Sequence, residues 1–199
     1  MSAETIPRLH IVLDDIEPVI WRRVDVPVTA SLKVVHDIVQ AAIGSANCHL
    51  WHFEAGDRRY GIPDRMWPES GMTAAKNVKL AALIDRGVRG LVHTYDMGDD
   101  WRHTITIESR PRRTRRQISA LRRWGTALPP EDVGGLPGFE MFLDAMADPS
   151  HEDHDPLREW YGTPYNAEDI HEPFTRRAVT AIAIRRHAGK LTYQKSRAQ

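Results

Sequence analysis

Cysteine is almost absent from this 199-residue sequence, which contains only Cys48. A disulfide within the chain is therefore impossible, and a site built from several zinc-bound thiolates is excluded. Long apolar runs are also missing, since none approaches the roughly 20 residues that a helix needs to cross a bilayer, and no membrane partner is expected. The first residues, Met1 to Thr5, carry neither the basic start nor the apolar stretch of a signal peptide. These absences predict a cytoplasmic protein.

The motifs by which common enzyme classes are recognised are missing as well. The sequence has no Walker loop, no dinucleotide-binding glycine fingerprint, no Gly-x-Ser-x-Gly elbow and no His-Glu-x-x-His pair. Cys48 precedes His49 directly, but such a pair is too weak a signal to predict nucleophilic catalysis. The sequence therefore predicts a fold and a candidate site, and it leaves open whether the protein is an enzyme.

Charge is balanced overall, with 27 basic and 27 acidic residues, but it is segregated along the chain. The stretch 110–123 holds seven arginines, from Arg110 to Arg123, and no acid, whereas the stretch 127–172 holds twelve acids and one base, Arg158. An arginine run can bind nucleic acid through its phosphates. It can equally form a solvated surface that pairs with the acidic segment. The first interpretation makes nucleic acid a candidate partner, and both remain open.

Alternating apolar residues predict three antiparallel hairpins. The first joins a strand at about Arg8–Leu13 to one at 19–26, because the connection is too short for a parallel crossover. The second joins residues 49–55 to Arg58–Gly61, and the third joins residues 91–97 to residues 101–107 around Gly98. The inward face of the third hairpin predicts core positions at Leu91, Tyr95, Trp101, Ile105 and Ile107.

Helices are predicted between and after the hairpins. Ser31 as an N-terminal cap and Gly44 as a terminator indicate a helix over Leu32–Ile43. Residues 62–76 predict a loop, and residues 78–84 a short helix or turn. Further on, a shared apolar face indicates a helix that ends near Asp148, with Phe139, Phe142, Leu143 and Met146 on that face.

Two more helices are predicted towards the C-terminus. Ser150 and Asp153 have capping-box spacing ahead of a helix to about Tyr161. Pro173 suits the first turn of a last helix that ends near Arg186, followed by a flexible tail at 187–199. Strands first and helices later predict an α+β fold. We expect a single domain over residues 1–186, with an antiparallel sheet built from successive hairpins, helices packed on it and a helical C-terminal part.

Three acids at the turn of the third hairpin are the first candidate site. Asp96, Asp99 and Asp100 follow Tyr95 and precede Trp101. Carboxylates that converge at a turn can bind Mg²⁺ or Mn²⁺, which prefer oxygen ligands. Aspartate also favours turns for a purely local reason, because its side chain hydrogen-bonds nearby backbone amides. His103 lies on the apolar face of the same hairpin, where it is either a packed core residue or a general base oriented by an acid.

A second pair of acids, Glu131 and Asp132, lies between two prolines and two glycines in the stretch 129–135. Prolines stiffen the backbone before the acids, and glycines permit unusual dihedral angles after them. One interpretation is a rigid loop that presents two carboxylates as further metal ligands. The other is a helix entry, where acids favour the positive end of the helix.

Basic and imidazole side chains complete the candidates. Trp21 and Arg23 share one face of a strand and Arg22 the other, so an arginine can bind an anion or simply pair at the surface. His151 and His154 can form half a metal site, although the adjacent acids also suit a helix start. His36 is predicted to be packed in the core, and His49 and His52 alternate, so at most one of them faces any site. The candidate binding residues are Trp21, Arg22, Arg23, Tyr95, Asp96, Asp99, Asp100, Trp101, Glu131 and Asp132.

Taken in order, these landmarks resemble one family, the plasmid pRiA4b ORF-3-like proteins. The resemblance rests on Ile20-Trp21-Arg22-Arg23-Val24, the helix over Leu32–Ile43 with His36, His49-Leu50-Trp51-His52-Phe53, Arg59-Tyr60-Gly61, the stretch from Tyr95 to His103, and the Pro-Pro-Glu-Asp-x-Gly-Gly segment that contains Glu131 and Asp132. It runs from about Pro7 to Arg186. The family implies a single α+β domain on an antiparallel sheet and no established activity. Family members often carry cysteines around the second segment, where this chain has Leu128 and Val133, so a thiolate role cannot apply there.

Two functions are consistent with these patterns. The first hypothesis is a non-enzymatic binding or accessory protein, linked to mobile DNA elements through labels that some family members carry. The alternative is a divalent-metal-dependent enzyme that acts on phosphoesters or nucleic acid. In that alternative, Mg²⁺ or Mn²⁺ binds Asp96, Asp99, Asp100, Glu131 and Asp132, while His103 acts as a base and Arg22 or Arg23 holds an anion.

Overall fold

The computed structural model describes residues 6–63, 71–108, 121–124, 127–169 and 172–196, with the backbone only for residues 121–124 and 190–196. The first hairpin is confirmed. Strand β1 (Arg8–Leu13) pairs antiparallel with β2 (Trp21–Asp25). Their outer ends are joined by an ion pair between buried side chains, in which the Arg8 Nε atom lies 2.7 Å from an Asp25 carboxylate oxygen.

Helix α1 (Leu32–Ile43) has the bounds that its capping residues predict. The Ser31 hydroxyl accepts a hydrogen bond from the Val34 amide at 3.4 Å, and Gly44 ends the helix at a φ of 103°. Gly44 suits this position because glycine adopts the left-handed conformation without steric cost. The inward face of α1 is fully apolar except for His36 and Gln40, and both of these side chains are buried.

The second and third hairpins are confirmed too. Strand β3 (Trp51–Ala55) pairs antiparallel with β4 (Arg58–Gly61), and β6 (Gly90–Tyr95) pairs antiparallel with β7 (Trp101–Glu108). Trp101, His103, Ile105 and Ile107 are buried while the residues between them are exposed, as the alternation in the sequence predicts. All five core positions predicted for the third hairpin are buried.

The predicted loop at 62–76 is wrong for its second half. Residues Met72–Ala74 form a short strand, β5, which pairs in parallel with β4, and Ala75–Asn77 form a 3-10 turn that leads to helix α2 (Leu80–Asp85). A parallel partner leaves no local hairpin signal in the sequence. Among the described residues, one mixed sheet contains eight strands in the order β5-β4-β3-β6-β7-β1-β2-β8, where β8 is Leu121–Trp124.

Three helices follow the sheet. Helix α3 (Gly135–Ala147) and helix α4 (His154–Tyr161) end where the sequence predicts. The predicted capping box before α4 is wrong, because the Ser150 hydroxyl bonds the Asp148 carboxylate and no side chain caps the helix. Helix α5 (Glu172–Ser196) extends past the predicted end near Arg186. The flexibility of a tail at 187–199 stays a prediction.

The core lies between α1 and the sheet face that carries Leu9, Ile11, Phe53 and Ile105. Helix α5 covers α1 from outside and contributes Val179 and Ile182 to the same core. The molecule is thus a single α+β domain, as the sequence predicts. Within the described part of the chain, no helix combines the length and the apolar character needed to span a membrane.

Candidate metal centre

Three loops meet at one end of the sheet. Because β3 pairs with β6 with Trp51 opposite Tyr95, the residues before β3 lie beside the turn after β6. The Asp96 amide donates to the Leu50 carbonyl at 2.9 Å, which ties these two segments together. The loop before α3 joins them, since the Gly134 amide donates to an Asp99 carboxylate oxygen at 3.3 Å.

Asp96 serves its own turn with one carboxylate oxygen. Its Oδ1 atom accepts hydrogen bonds from the amides of Gly98 at 2.9 Å and Asp99 at 3.4 Å. The residue itself has a φ of 58°, a conformation in which aspartate is tolerated better than most residues because of such local bonds. The local interpretation of this acid is therefore correct for Oδ1, while Oδ2 faces away from the turn.

Glu131 is held by the loop that follows α1. Its Oε1 atom accepts hydrogen bonds from the Ser45 hydroxyl at 2.7 Å and the Ala46 amide at 2.5 Å. Its Oε2 atom accepts a hydrogen bond from the Tyr95 hydroxyl at 3.2 Å. Glu131 thus bridges to two other loops instead of sitting at the start of α3, whose first turn contains no acid.

One carboxylate oxygen from each of three acids lies close to the His49 ring. The His49 Nε2 atom lies 3.2 Å from Asp132 Oδ1, 3.5 Å from Asp96 Oδ2 and 3.7 Å from Glu131 Oε2. We call these four residues, His49, Asp96, Glu131 and Asp132, the His49 cluster. Its outer side is open to solvent, because the Asp132 side chain is 71% exposed and the His49 side chain 28%.

One polar atom at the centre of the cluster lacks a hydrogen-bond partner among the described residues. The His49 Nε2 atom is buried, yet among the described residues it has no hydrogen-bond partner of acceptable geometry. Up to three negative charges face one imidazole nitrogen, so a positive charge placed among them would be strongly stabilised. Donor atoms of His49, Asp96 and Asp132 all lie within 4.8 Å of one another. A divalent cation fits the charge and the spacing of these groups.

Tyr95 and a small cavity lie beneath the cluster. Burial raises the pKa of Tyr95 to about 12, so its hydroxyl stays protonated and donates to Glu131 while accepting from the Cys48 amide at 3.0 Å. The cavity below has a volume of about 20 Å³ and is lined by Ser45, Trp101, His103 and the buried Gln40, among others. This volume suffices for one water molecule.

The structure separates the predicted acids into two groups. Asp96, Glu131 and Asp132 belong to the His49 cluster, whereas the Asp99 carboxylate binds the Gly134 amide instead. Asp100 is exposed, with a φ of 53°, and no group of potential ligand atoms in the described chain includes it.

His103 is a core residue in the structure. Its Nδ1 atom lies 3.2 Å from the His93 carbonyl, so it donates there, and its ring packs against the His93 ring at 5.4 Å between centroids. Burial lowers its pKa to about 4. His103 reaches the His49 cluster only through the cavity wall that it shares with Tyr95 and Glu131.

The two strand arginines have structural partners. Arg22 is buried and donates from Nε to the Ala42 carbonyl in the last turn of α1 at 3.0 Å, and burial lowers its pKa to about 10. Arg23 lies over the Trp21 ring at 5.2 Å and pairs with Glu108 at 3.1 Å.

Three other histidines considered above lie away from the His49 cluster, His36 in the core and His151 and His154 near the start of α4. His36 is buried, as predicted, and stacks on Trp51 with ring centroids 3.7 Å apart. His154 bonds the Ala145 carbonyl at 2.7 Å, while His151 accepts from the Asp153 amide at 3.1 Å. The described residues therefore give His151 and His154 separate local roles.

Sequence analysis missed His49 as a central residue. The alternation of His49 and His52 is consistent with the structure, since His49 faces the cluster and His52 lies 3.4 Å from Glu54. Only the pairing of β3 with β6 brings His49 to Asp96, and that pairing joins strands of different hairpins. Cys48 was also set aside, yet its thiol sulfur lies within 4.8 Å of donor atoms of His49 and Glu131. One thiolate ligand is therefore compatible with this site, although a thiolate cluster is not.

The arginine run at 110–123 lies outside the described residues up to position 120, and so do the side chains of residues 121–124. Its binding of nucleic acid stays a prediction.

Comparisons with known proteins agree with the family resemblance. The model of a family described as "Plasmid pRiA4b ORF-3-like protein" matches residues 5–172. An uncharacterised protein, y4hQ of Sinorhizobium fredii (strain NBRC 101917 / NGR234), is 39% identical over 166 residues, which cover 80% of this chain and 82% of the relative. A protein of unknown function, MM3350 from Methanosarcina mazei Go1, has a crystal structure that matches with a TM-score of 0.76 and 26% identity, over 84% of this chain and 96% of the other.

Proposed function

This chain belongs to the plasmid pRiA4b ORF-3-like family, and we propose that it is a binding protein that holds one divalent cation with His49, Asp96 and Asp132. Glu131 stands beside these ligands and completes the negative charge. The proposal keeps the binding or accessory role expected from the sequence and assigns it a ligand.

The observation that carries this proposal is the spacing around the buried His49 Nε2 atom. Two ligands of one cation, each about 2.1 Å from the ion, stand about 3.0–3.4 Å apart in octahedral or tetrahedral geometry. The distances from His49 Nε2 to Asp132 Oδ1 and Asp96 Oδ2 are 3.2 and 3.5 Å. Adjacent ligands of one ion therefore need only small movements from these positions.

The donor set favours a transition-metal cation over Mg²⁺. Imidazole nitrogen suits zinc, iron, cobalt and related ions, whereas magnesium takes oxygen ligands almost exclusively. One imidazole with two carboxylates, and the Cys48 thiol nearby, fits Mn²⁺, Fe²⁺, Co²⁺ or Zn²⁺. A bound cation of this kind would neutralise the carboxylates and offer its remaining positions to water or an anion.

Cobalt titration tests the proposal directly. Co²⁺ added to the full chain should produce visible absorption bands of protein-bound cobalt and should raise the melting temperature, because a ligand of the native state alone stabilises that state. His49→Ala should weaken Co²⁺ binding by about tenfold or more, as loss of a direct ligand removes over about 1.4 kcal/mol of binding free energy.

His52→Ala is the matched control, since His52 lies in the same segment and contacts Glu54 instead of the cluster. It should bind Co²⁺ like the wild type. Absence of cobalt bands and of any melting shift with Mn²⁺, Co²⁺ or Zn²⁺ contradicts the proposal. Equal affinity in His49→Ala does so as well.

Metal-assisted hydrolysis of phosphoesters is the second candidate function, and the open side of the site favours it. Catalytic sites leave coordination positions for water and substrate, whereas structural sites are closed by protein ligands. The cluster is open on the side of Asp132, whose side chain is 71% exposed. Cleavage of a chromogenic phosphodiester by the Mn²⁺-loaded chain, abolished in His49→Ala, would support this function. A wild-type protein that binds cobalt but cleaves no phosphodiester would exclude the hydrolytic function and leave the cation-binding function.

A cytoplasmic location and a link to mobile DNA elements belong to the proposal as well. The first is supported by the single cysteine. The second is supported by the family resemblance alone, and cation binding does not depend on either.

A further inference from the structure

A groove runs between α5 and α1 on the outside of the domain. It has a volume of about 810 Å³ and a floor of small apolar side chains, including Ala41, Ala178 and Ala181. Gln40, Ser45 and Asn47 line it on the side of α1 and the loop after it. Positions 174, 177, 178, 181 and 185 face it from α5, which is one face of a helix.

Two arginines of the groove have no acidic partner among the described residues. Arg177 and Arg185 are exposed, and no acid of the described chain pairs with either of them. Among the described residues that line the groove, the acid is Asp37, and it is already paired with Lys33, whose Nζ atom lies 2.5 Å from its carboxylate. The two arginines are about 12 Å apart along the helix axis at 1.5 Å per residue, so each can meet a different anionic group.

An aromatic ring stands at one end of the same face. Phe174 lines the groove and is 69% exposed, so most of its ring is accessible to a ligand. A basic groove with an exposed aromatic ring is the combination by which proteins hold single-stranded nucleic acid, since phosphates meet the cations and a base stacks on the ring. An acidic peptide would use the arginines and leave the ring without a specific role.

We propose that a single strand of nucleic acid binds in the α1–α5 groove. Its phosphates contact Arg177 and Arg185, and one base stacks on Phe174. The ring stands at the end of the groove that Ser45 and Asn47 also line, because Phe174 and Gly44 line the same two cavities. The Ser45 hydroxyl there donates to Glu131 of the His49 cluster at 2.7 Å. A strand that reaches this end brings a backbone phosphate next to the cation, so this part of the inference, unlike the groove itself, rests on the proposed cation site.

Fluorescence anisotropy with labelled single strands of thymidylate and of uridylate tests the groove. The full chain should bind at least one of these strands more tightly than it binds a duplex of equal length. The double variant Arg177→Ala/Arg185→Ala should bind about tenfold or more weakly, and its slope of log affinity against log salt should fall by about 1.4, or 0.7 for each lost phosphate contact. Phe174→Ala should weaken binding about fivefold or more through loss of stacking.

A second double variant, Arg58→Ala/Arg102→Ala, is the charge-matched control. Arg58 and Arg102 are exposed on strands β4 and β7, away from the groove, so this variant should keep the wild-type affinity. The groove variant should also keep the melting temperature of the wild type, which shows that it is folded, and the cobalt absorption of the wild type, which shows that its cation site is intact.

Each outcome decides one of the two proposals. Unchanged strand binding in the groove variant, or preference for the duplex or for an acidic peptide, overturns the single-strand inference whatever the cobalt titration shows. Strand binding that is lost in the groove variant, in a protein that binds no cobalt, supports the groove and removes the cation site.

Discussion

Arg22 and Arg23 are sequence neighbours in β2 with opposite environments. The Arg22 guanidinium is buried and donates to carbonyl oxygens of Ala42 and Trp21 at 3.0 and 2.9 Å. Because Ala42 lies in the last turn of α1, a positive charge there also meets the negative end of the helix. Arg23 is about one-third exposed and pairs with Glu108. Sequence alone assigns the two residues to opposite faces of the strand, but it cannot tell which face is buried.

Replacing these arginines by methionine should separate their roles. Arg22→Met should lower the free energy of unfolding by about 2–4 kcal/mol, because it leaves buried carbonyl oxygens without a donor. Arg23→Met should cost less than about 1 kcal/mol, as expected of a partly exposed ion pair. Urea denaturation of both variants measures the difference. Equal losses would mean that the buried bonds of Arg22 add nothing to stability.

Three buried histidines form a chain through the core. The His36 Nε2 atom lies 2.7 Å from the Asn47 amide oxygen, and its Nδ1 atom lies 3.0 Å from His93 Nε2. The oxygen can only accept, so His36 donates to it, and His93 donates to His36. Burial lowers the pKa of His36 and of His103 to about 4, and it lowers the pKa of His93 well below its ordinary value. All three rings are therefore neutral at physiological pH.

The stability of the protein should fall as the pH falls from 6.5 towards 4. The unfolded chain binds protons on these histidines near pH 6.5, whereas the folded chain resists protonation down to about pH 4. Stability from the neutral rings is thus complete above pH 6.5, and each histidine contributes a loss of up to about 1.4 kcal/mol per pH unit below it.

His103→Asn tests this pH dependence, because an asparagine amide can still donate to the His93 carbonyl but does not titrate. Unfolding by urea at several pH values should show a slope that is lower by about one proton in this variant. His187→Asn, at an exposed position of α5, should keep the wild-type slope. A wild-type stability that stays level between pH 6.5 and 4.5 would contradict the assignment.

The loop before α3 packs against the turn after β6 through glycine. Gly135 has a φ of 68°, and a Cβ atom on it would stand 2.9 Å from the Asp99 carbonyl oxygen. A Cβ atom on Gly138 would stand only 1.9 Å from the Val133 carbonyl oxygen. These contacts leave no room for a side chain, so glycine permits the close approach that positions Glu131 and Asp132.

Gly138→Ala should therefore lower the free energy of unfolding by about 2 kcal/mol or more, because the backbone of the loop must move. The same variant should weaken Co²⁺ binding, since the loop carries Asp132. Gly189→Ala is the control within α5, where a Cβ atom meets nothing within 4 Å. It should leave stability unchanged or raise it by up to about 1 kcal/mol, because alanine favours the helix. Thermal melting and cobalt titration of Gly138→Ala and Gly189→Ala measure these differences.

Local sequence patterns were sufficient for most elements and insufficient for strands β5 and β8 and for the start of helix α4. Helix α1 and the three hairpins are specified by Ser31, Gly44 and strict alternation, all of which act within a few residues. Strand β5 forms by parallel pairing with β4, and no turn or alternation close to it in the sequence indicates that partner. The capping box failed because the Ser150 hydroxyl donates to the Asp148 carboxylate at 2.7 Å, and no side chain accepts from the first amides of α4.

At the scale of the whole molecule, the candidate site could be predicted only in part. The acids at the Gly98 turn and at the Glu131 loop are visible as unusual local compositions, and the structure brings Asp96, Glu131 and Asp132 together. The residue at their centre, His49, lies at the start of a different hairpin. Its position depends on the order β3-β6 in the sheet, which is decided by tertiary packing and not by any local pattern.

The C-terminal boundary of the domain can be tested by truncation. A chain that ends after Arg186 keeps Val179 and Ile182, the buried apolar contacts of α5. Its melting temperature should fall by less than about 4 °C. A chain that ends after Ala178 loses both contacts, which should cost about 3–6 kcal/mol at 1.5–3 kcal/mol for each buried side chain. If the first truncation unfolds the protein, the predicted boundary near residue 186 is too early.

Two hydrogen bonds between loops have a consequence for the folding kinetics. One joins Asp96 to Leu50, and the other joins Asp99 to Gly134. The three loops that carry His49, Asp96 and Asp132 are far apart in sequence, so the cluster is complete only after the sheet order and the α3 loop are both established. A cation would then stabilise the native state more than the transition state for folding. Stopped-flow measurements with Co²⁺ should therefore show slower unfolding and an almost unchanged folding rate. The ion would then stabilise the folded protein after the fold has formed, without taking part in the folding nucleus.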